Sequence, residues 1–192
     1  MTGLSLEQDA LIEVAALVTD GDLNILGTGV DVVIRPPAEA LEQMNDFVRD
    51  MHTSSGLLEE LEAGLTLEEA QQQVLDYIKA WVPEPGKAVL GGNSVGTDKT
   101  FLMRDMPQLV DYLHYRVIDV STIKELSRRW FEKATYNAPA KTGNHRALGD
   151  IQDSIDELRY YRGTVFVPSP GPDSETCQQV ARQVAESRQQ LG

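Results

Sequence analysis

The spacing of apolar residues changes its period several times along the chain. Leu11 to Thr19 (LIEVAALVT) is apolar on both alternating faces, which predicts a strand buried on two sides. Asp20-Gly21-Asp22 is a turn signal, and two further strands are expected over Leu23 to Leu26 and Val30 to Ile34, completing an antiparallel meander. Pro36-Pro37 ends the meander and opens a helix over about Ala38 to Met51. Ser54-Ser55-Gly56 breaks the chain before a short helix over Leu57 to Ala63. Thr66, with Glu69 three residues on, has the form of a capping box; the long helix that follows places Ala70, Val74, Ile78 and Trp81 on its buried face.

After the loop Pro83-Glu84-Pro85-Gly86 the period alternates. Ala88 to Leu90 reads as a short strand, and Ser94 as the cap of a helix carrying Asp98, Phe101 and Leu102. Tyr115 to Val120 reads as a strand, with Ser121 capping a helix to Trp130. Ala134 to Asn144 reads as a loop. From about 147 to 162, Leu148, Ile151, Ile155 and Leu158 recur at helical spacing. Strands followed by helices and then β-α-β-α predict an α/β fold with a mixed sheet flanked by helices. The domain spans residues 1–166. Residues 167–173 form a Pro-rich linker, and a last helix, about Ser174 to Gln189, aligns Cys177, Val180 and Val184.

Composition narrows the class. Hydrophobic content of 41% with 24% charged residues belongs to a soluble globular chain, and no apolar run reaches the roughly 18 residues of a membrane span. No secretory signal is visible, and the single cysteine excludes an internal disulfide, so a reducing, cytoplasmic setting is expected. The net charge of −13 is concentrated in residues 1–113, which carry 20 acidic and 6 basic side chains. Such a surface is unsuited to long nucleic acid, whose binding depends on neutralising many phosphates. A nucleic-acid ligand would have to be short.

The candidate chemistry lies in three places. His145 precedes Asp150 by five positions, about 500° of helix, so the two cannot share a helical face. His145 is expected on the approach to the last long helix and Asp150 in its first turns, a base beside a carboxylate that suits metal-assisted hydrolysis. Asp98, just beyond a strand, is a second potential ligand for a hard cation, and equally a first-turn acid favoured by the helix dipole. Arg116, Ser121 and Thr122 can contact phosphate, or be a surface arginine and a helix cap. Phe47 can stack on a base with His52 nearby, or be a core phenylalanine and a surface histidine.

Six stretches together resemble the oligoribonuclease family, the histidine-bearing branch of the four-acid DEDD exonucleases. They are MTGL (Met1 to Leu4), LIEVAALVTD (Leu11 to Asp20), MHTSSGL (Met51 to Leu57), GNSVGTDKTFL (Gly92 to Leu102), HYRVIDVSTIKEL (His114 to Leu126) and HRALGDI (His145 to Ile151). The resemblance implies an RNase H-like fold, a homodimer, two Mg²⁺ or Mn²⁺ ions, and release of mononucleotides from the 3′ end of very short RNAs, dinucleotides especially. It implies that Asp98 and Asp150 are metal ligands and that His145 is the general base. Leu4 and Phe47 would wedge the bases. His52, Ser94, Arg116 and Ser121 would contact phosphate or sugar, and Tyr115 would reach into the partner subunit's site.

One element of the family pattern is not among these stretches. In the family an Asp-x-Glu pair ends the first, central strand and directly precedes MTGL, and here MTGL begins at Met1. The expectation is a domain lacking that strand and two of its four acids, through a start site placed inside a longer protein. The alternative is a catalytically impaired paralogue that only binds short nucleotides, and a further one is a scaffold used for dimerisation.

Overall fold

The structure is a computed structural model that describes residues 1–141 and 145–189. Its strands are β1 (Glu13–Thr19), β2 (Ile25–Val33), β3 (Val89–Gly92) and β4 (His114–Asp119). Its helices are α1 (Ala38–Glu42), α2 (Asp46–Ser54), α3 (Leu57–Glu60), α4 (Leu67–Trp81), α5 (Val95–Asp105), α6 (Pro107–Tyr112), α7 (Val120–Trp130), α8 (Glu132–Tyr136), α9 (Ala147–Thr164) and α10 (Ser174–Gln189), with a 3₁₀ turn at Leu61–Ala63. The expected α/β class with strands of both directions holds. The strands lie in two two-stranded sheets, β1 antiparallel to β2 and β3 parallel to β4.

Local chemistry explains where the elements start and stop. Asp20 Oδ1 accepts the amides of Asp22 and Asn24, both at 2.9 Å, and this closes the β1–β2 turn. The two strands expected over 23–34 are one strand, β2. Gly27 and Gly29 within it have φ of 74° and 84°, which lets the backbone bend without breaking the ladder. A Cβ at Gly27 would stand 2.6 Å from the Trp81 ring. Trp81 therefore lies over β2, 44% exposed, rather than inside the core with Ala70, Val74 and Ile78.

The helix expected over 38–51 is two helices, because Asn45 turns extended and its side chain accepts the Val48 amide at 2.9 Å, capping α2. The capping box at the head of α4 is present, with Thr66 and Glu69 bonded reciprocally. Part of the loop expected over 134–144 is helical, since α8 runs to Tyr136; residues 142–144 lie outside the described residues.

The main core joins α4, β2, α5 and α6 through residues such as Ile34, Ala70, Val74, Phe101, Met106 and Leu109. Between β1 and β3 runs an apolar slot of about 510 Å³. Val74 and Ile78 of α4 line it, as do Ile151, Ile155 and Leu158 of α9. This accounts for two differences from expectation. Strand β1 is half-buried throughout rather than buried on both sides, because one edge pairs with β2 and the other fronts the slot. The apolar face of α9 is likewise half-buried, while its buried positions are Ser154, Glu157 and Tyr161.

Helix α10 follows the Pro-rich stretch as expected, and its described side chains are exposed along its length. Removing residues 168–192 is expected to leave the melting temperature within about 2 °C, since little apolar area is uncovered. A scanning calorimetry comparison checks this, and a larger drop would mean that the helix packs on the domain.

Candidate active site

The parallel pair β3–β4 ends in a polar knot that sets the geometry around it. Ser94 has a left-handed backbone (φ 53°) and makes no side-chain cap to α5, contrary to expectation. Its amide is held instead by Asp119 Oδ1 and Ser121 Oγ, each at 3.0 Å, and the two serine hydroxyls lie 3.2 Å apart. Ser121 is likewise not the cap of α7. Asp119 is, accepting the Ser121 amide at 2.9 Å. Asn93 accepts from Ser121 Oγ at 3.1 Å and donates to Ser154 and Glu157 of α9, both at 3.0 Å. The buried Glu157 carboxylate also pairs with Lys124 at 3.2 Å. Ser94 and Ser121 are thus brought together, and the knot ties α9, which carries Asp150, to the ends of β3 and β4.

Neither Asp98 nor Asp150 is among the residues lining the slot. Asp98 lies in the first turn of α5 and is partly buried, and burial raises its carboxyl above the ordinary aspartate range. Asp150 opens toward solvent from the first turns of α9, and the partial loss of hydration there raises its carboxyl too. The Met1 amino group is buried and its pKa is lowered by that burial, against the pull of Glu13, Asp98 and Asp9. Glu13, in turn, acts electrostatically on Asp150, and His145 does so with the opposite sign.

These shifts have a sign. An aspartate with a raised folded pKa costs stability as pH rises from the unfolded value near 3.8 through the folded value, because only the unfolded state ionises freely in that window. Replacing Asp98 by asparagine is therefore expected to raise the melting temperature by a few degrees at pH 7. The gain should vanish below pH 3.8, where both states are protonated. Melting curves of both proteins from pH 7 to 3 test this. A gain that persists at low pH would show that its cause is packing.

His145 is exposed, with φ 53°, at the mouth of α9. The next residue, Arg146, donates from Nε to Glu13 Oε1 at 2.6 Å and from Nη1 and Nη2 to Glu60 at 2.8 and 3.0 Å. Glu13 Oε2 accepts the Ala147 amide at 2.9 Å. His52 is only 4% exposed. Its Nε2 donates to the Met1 carbonyl at 3.0 Å, its Nδ1 has no partner among the described residues, and burial pushes its pKa down. His52 is therefore not the surface histidine that the sequence allows as one alternative.

Leu4 and Phe47 are 77% and 78% exposed, so neither is a core residue. Tyr115 is 73% exposed, stacked on His114 with ring centroids 4.5 Å apart, and the Arg116 guanidinium lies 5.4 Å over its ring. Trp130 and Tyr136, 67% and 79% exposed, are further large aromatic side chains left open to solvent.

The side chains present do not by themselves complete a cation site. Among the described residues no three of His, Cys, Asp or Glu stand together as metal ligands require. Sequence reading missed Glu13, Glu60, Arg146, Asn93 and Glu157. Glu13 carries a signal, a lone carboxylate in an otherwise apolar strand run. Arg146 and Asn93 carry none, since their partners are distant in sequence.

No described helix is long and apolar enough to cross a membrane. An exonuclease family model (RNase_T) matches residues 1–158. The oligoribonuclease of Streptomyces griseus is 65% identical over 96% of this chain and 92% of its own. That of Cutibacterium acnes is 61% identical over 94% and 90%, and that of Mycobacterium leprae 55% identical over 94% and 84%. A solved exonuclease I from Methylocaldum szegediense aligns with a TM-score of 0.62 at 17% identity, over 85% of this chain and 39% of its own, a likeness of fold. Matched along nearly its whole length by these relatives, the chain belongs to the oligoribonuclease family of exonucleases.

Proposed function

We propose that the protein is a cytoplasmic 3′-to-5′ exoribonuclease that degrades very short RNAs, dinucleotides especially, to mononucleotides. The observation that carries the reading is the 65% identity to an oligoribonuclease over 96% of the chain. The exposed Leu4 and Phe47 are free to bracket bases. The serines Ser94 and Ser121, with Arg116, are the groups for phosphate and sugar, while His52, buried with its Nε2 on the Met1 carbonyl, holds the backbone at Met1. His145 accepts the proton of the attacking water, the water oxygen bonds to phosphorus, and the P–O3′ bond breaks, with solvent protonating the leaving oxygen. The acidic surface favours ligands with few phosphates over long polymers.

Asp98 and Asp150 are read as ligands for Mg²⁺ or Mn²⁺, two ions per site, as the family resemblance implies. They fall short of that set alone, so the reading includes one more strand, ending in Asp-x-Glu, filling the slot between β1 and β3. Among the described residues, the edges of β1 and β3 that front the slot pair with no other strand, and this supports it. The reading also includes a homodimer in which Tyr115 enters the partner's site, supported by the exposed Tyr115, Trp130 and Tyr136. The catalytic unit is residues 1–166, with the tail dispensable. The incomplete ligand set favours a second reading, a chain that binds short nucleotides without cleaving them.

Incubation with 5′-labelled ribonucleotides of two to ten residues and Mn²⁺ separates the two. The proposal expects mononucleotide release, fastest from the dinucleotide. Binding without cleavage, by every version of the chain, supports the second reading and overturns the first.

A further inference from the structure

The start of α9 has to place two groups at once, because His145 stands just before it and Asp150 lies one turn inside it. The backbone reaches this point through an unfavourable conformation. His145 has φ 53°, in the left-handed region that costs a non-glycine residue energy, and Arg146 is then extended (φ −106°, ψ 139°) before the helix begins. Such a turn needs an anchor outside itself.

The anchor is the Arg146 side chain. Its fork binds both oxygens of Glu60, on α3, at 2.8 and 3.0 Å, and its Nε binds Glu13, on β1, at 2.6 Å. The Glu13 side chain is 5% exposed, and its second oxygen accepts the Ala147 amide at 2.9 Å. One buried carboxylate therefore pairs with the arginine and closes the first turn of the helix, where negative charge is favoured. The Arg146 carbonyl accepts the Asp150 amide at 3.0 Å, so the residue held by the clasp also starts the helical bond that carries Asp150.

We infer that Arg146 is a positioning residue for hydrolysis: by tying the head of α9 to β1 through Glu13 and to α3 through Glu60, it fixes His145 and Asp150 relative to each other. The inference rests on the reading of His145 as the proton acceptor. Only a planar fork can hold both carboxylates, so lysine, a single point charge, cannot replace it. The Arg146 guanidinium also holds the Glu60 carboxyl below its ordinary range, as a formed pair requires.

Arg146→Lys and Glu60→Gln in the full chain test this; both keep a hydrogen-bonding group in place, so both should fold. The first readout needs neither metal nor substrate. Amide hydrogen exchange at residues 145–150 is expected to quicken about ten-fold in both variants while α4 keeps its protection. The second is diribonucleotide cleavage with Mn²⁺. Here kcat is expected to fall about ten-fold in Arg146→Lys with KM within about two-fold, as for a misplaced reacting group rather than a lost contact. Unchanged exchange in both variants, or a rise in KM with kcat intact, would overturn the inference. If the unsubstituted chain cleaves nothing, the nuclease reading fails separately and the exchange result alone decides the clasp.

Discussion

Joining a strand that ends in Asp-x-Glu directly to Met1 should raise diribonucleotide cleavage by about a thousand-fold or more, through the added metal-assisted electrostatic stabilisation. It should also raise the melting temperature by roughly 10 °C, several kcal/mol at about 2–4 °C for each. Both effects follow from the slot. Among the described residues β1 and β3 each pair with a strand on one edge only, and the slot between them is walled by apolar side chains of α4 and α9. Backbone groups left unpaired beside such walls cost about 1–3 kcal/mol each, against about 5–15 kcal/mol for a whole domain. A strand there would pair both edges and cover Ile151, Ile155 and Leu158. Its terminal acids would come out directly before Met1, whose amino group feels the charges of Glu13 and Asp98. Calorimetry and a cleavage assay on both versions check the two effects. Equal melting would mean that the slot needs no strand.

The second large effect belongs to the mouth of α9. His145→Ala should lower kcat by about 10²–10⁴, the range for a positioned general base, with the melting temperature nearly unchanged because the side chain is exposed. Asp150→Asn should lower activity comparably without loss of stability, since burial already disfavours its charge. Stopped-flow cleavage with melting curves on the same samples checks both. If His145→Ala keeps full kcat, the proton acceptor is another group.

Elements whose cause is local were legible from the residues. The Thr66–Glu69 box and the period of α9 are each complete within a few positions, and both helices start where their signals stand. Where two local signals compete, the pattern misleads. Asn45 interrupts an apolar period that by itself predicts one helix, and Asp119 takes the cap of α7 from Ser121 because the knot draws the serine toward Ser94. Of the candidate site, His145, Asp98 and Asp150 carry only a weak signal in their spacing, and the resemblance is what singles them out. The supports of the site were not legible. Glu13 meets Arg146 across 133 positions and Asn93 meets Glu157 across 64, and no local period encodes such a meeting. The half-burial of β1 was misjudged for the same reason, since an apolar run predicts neighbours and does not say which are present.

The most direct test of the central claim is cleavage of one 5′-labelled diribonucleotide, with Mn²⁺, by the strand-extended chain and by its Asp98→Asn form. The account predicts mononucleotide from the first and essentially none from the second, with the second melting at least as high as the first. Equal turnover by the two proteins would contradict it, because the chemistry would then not depend on Asp98.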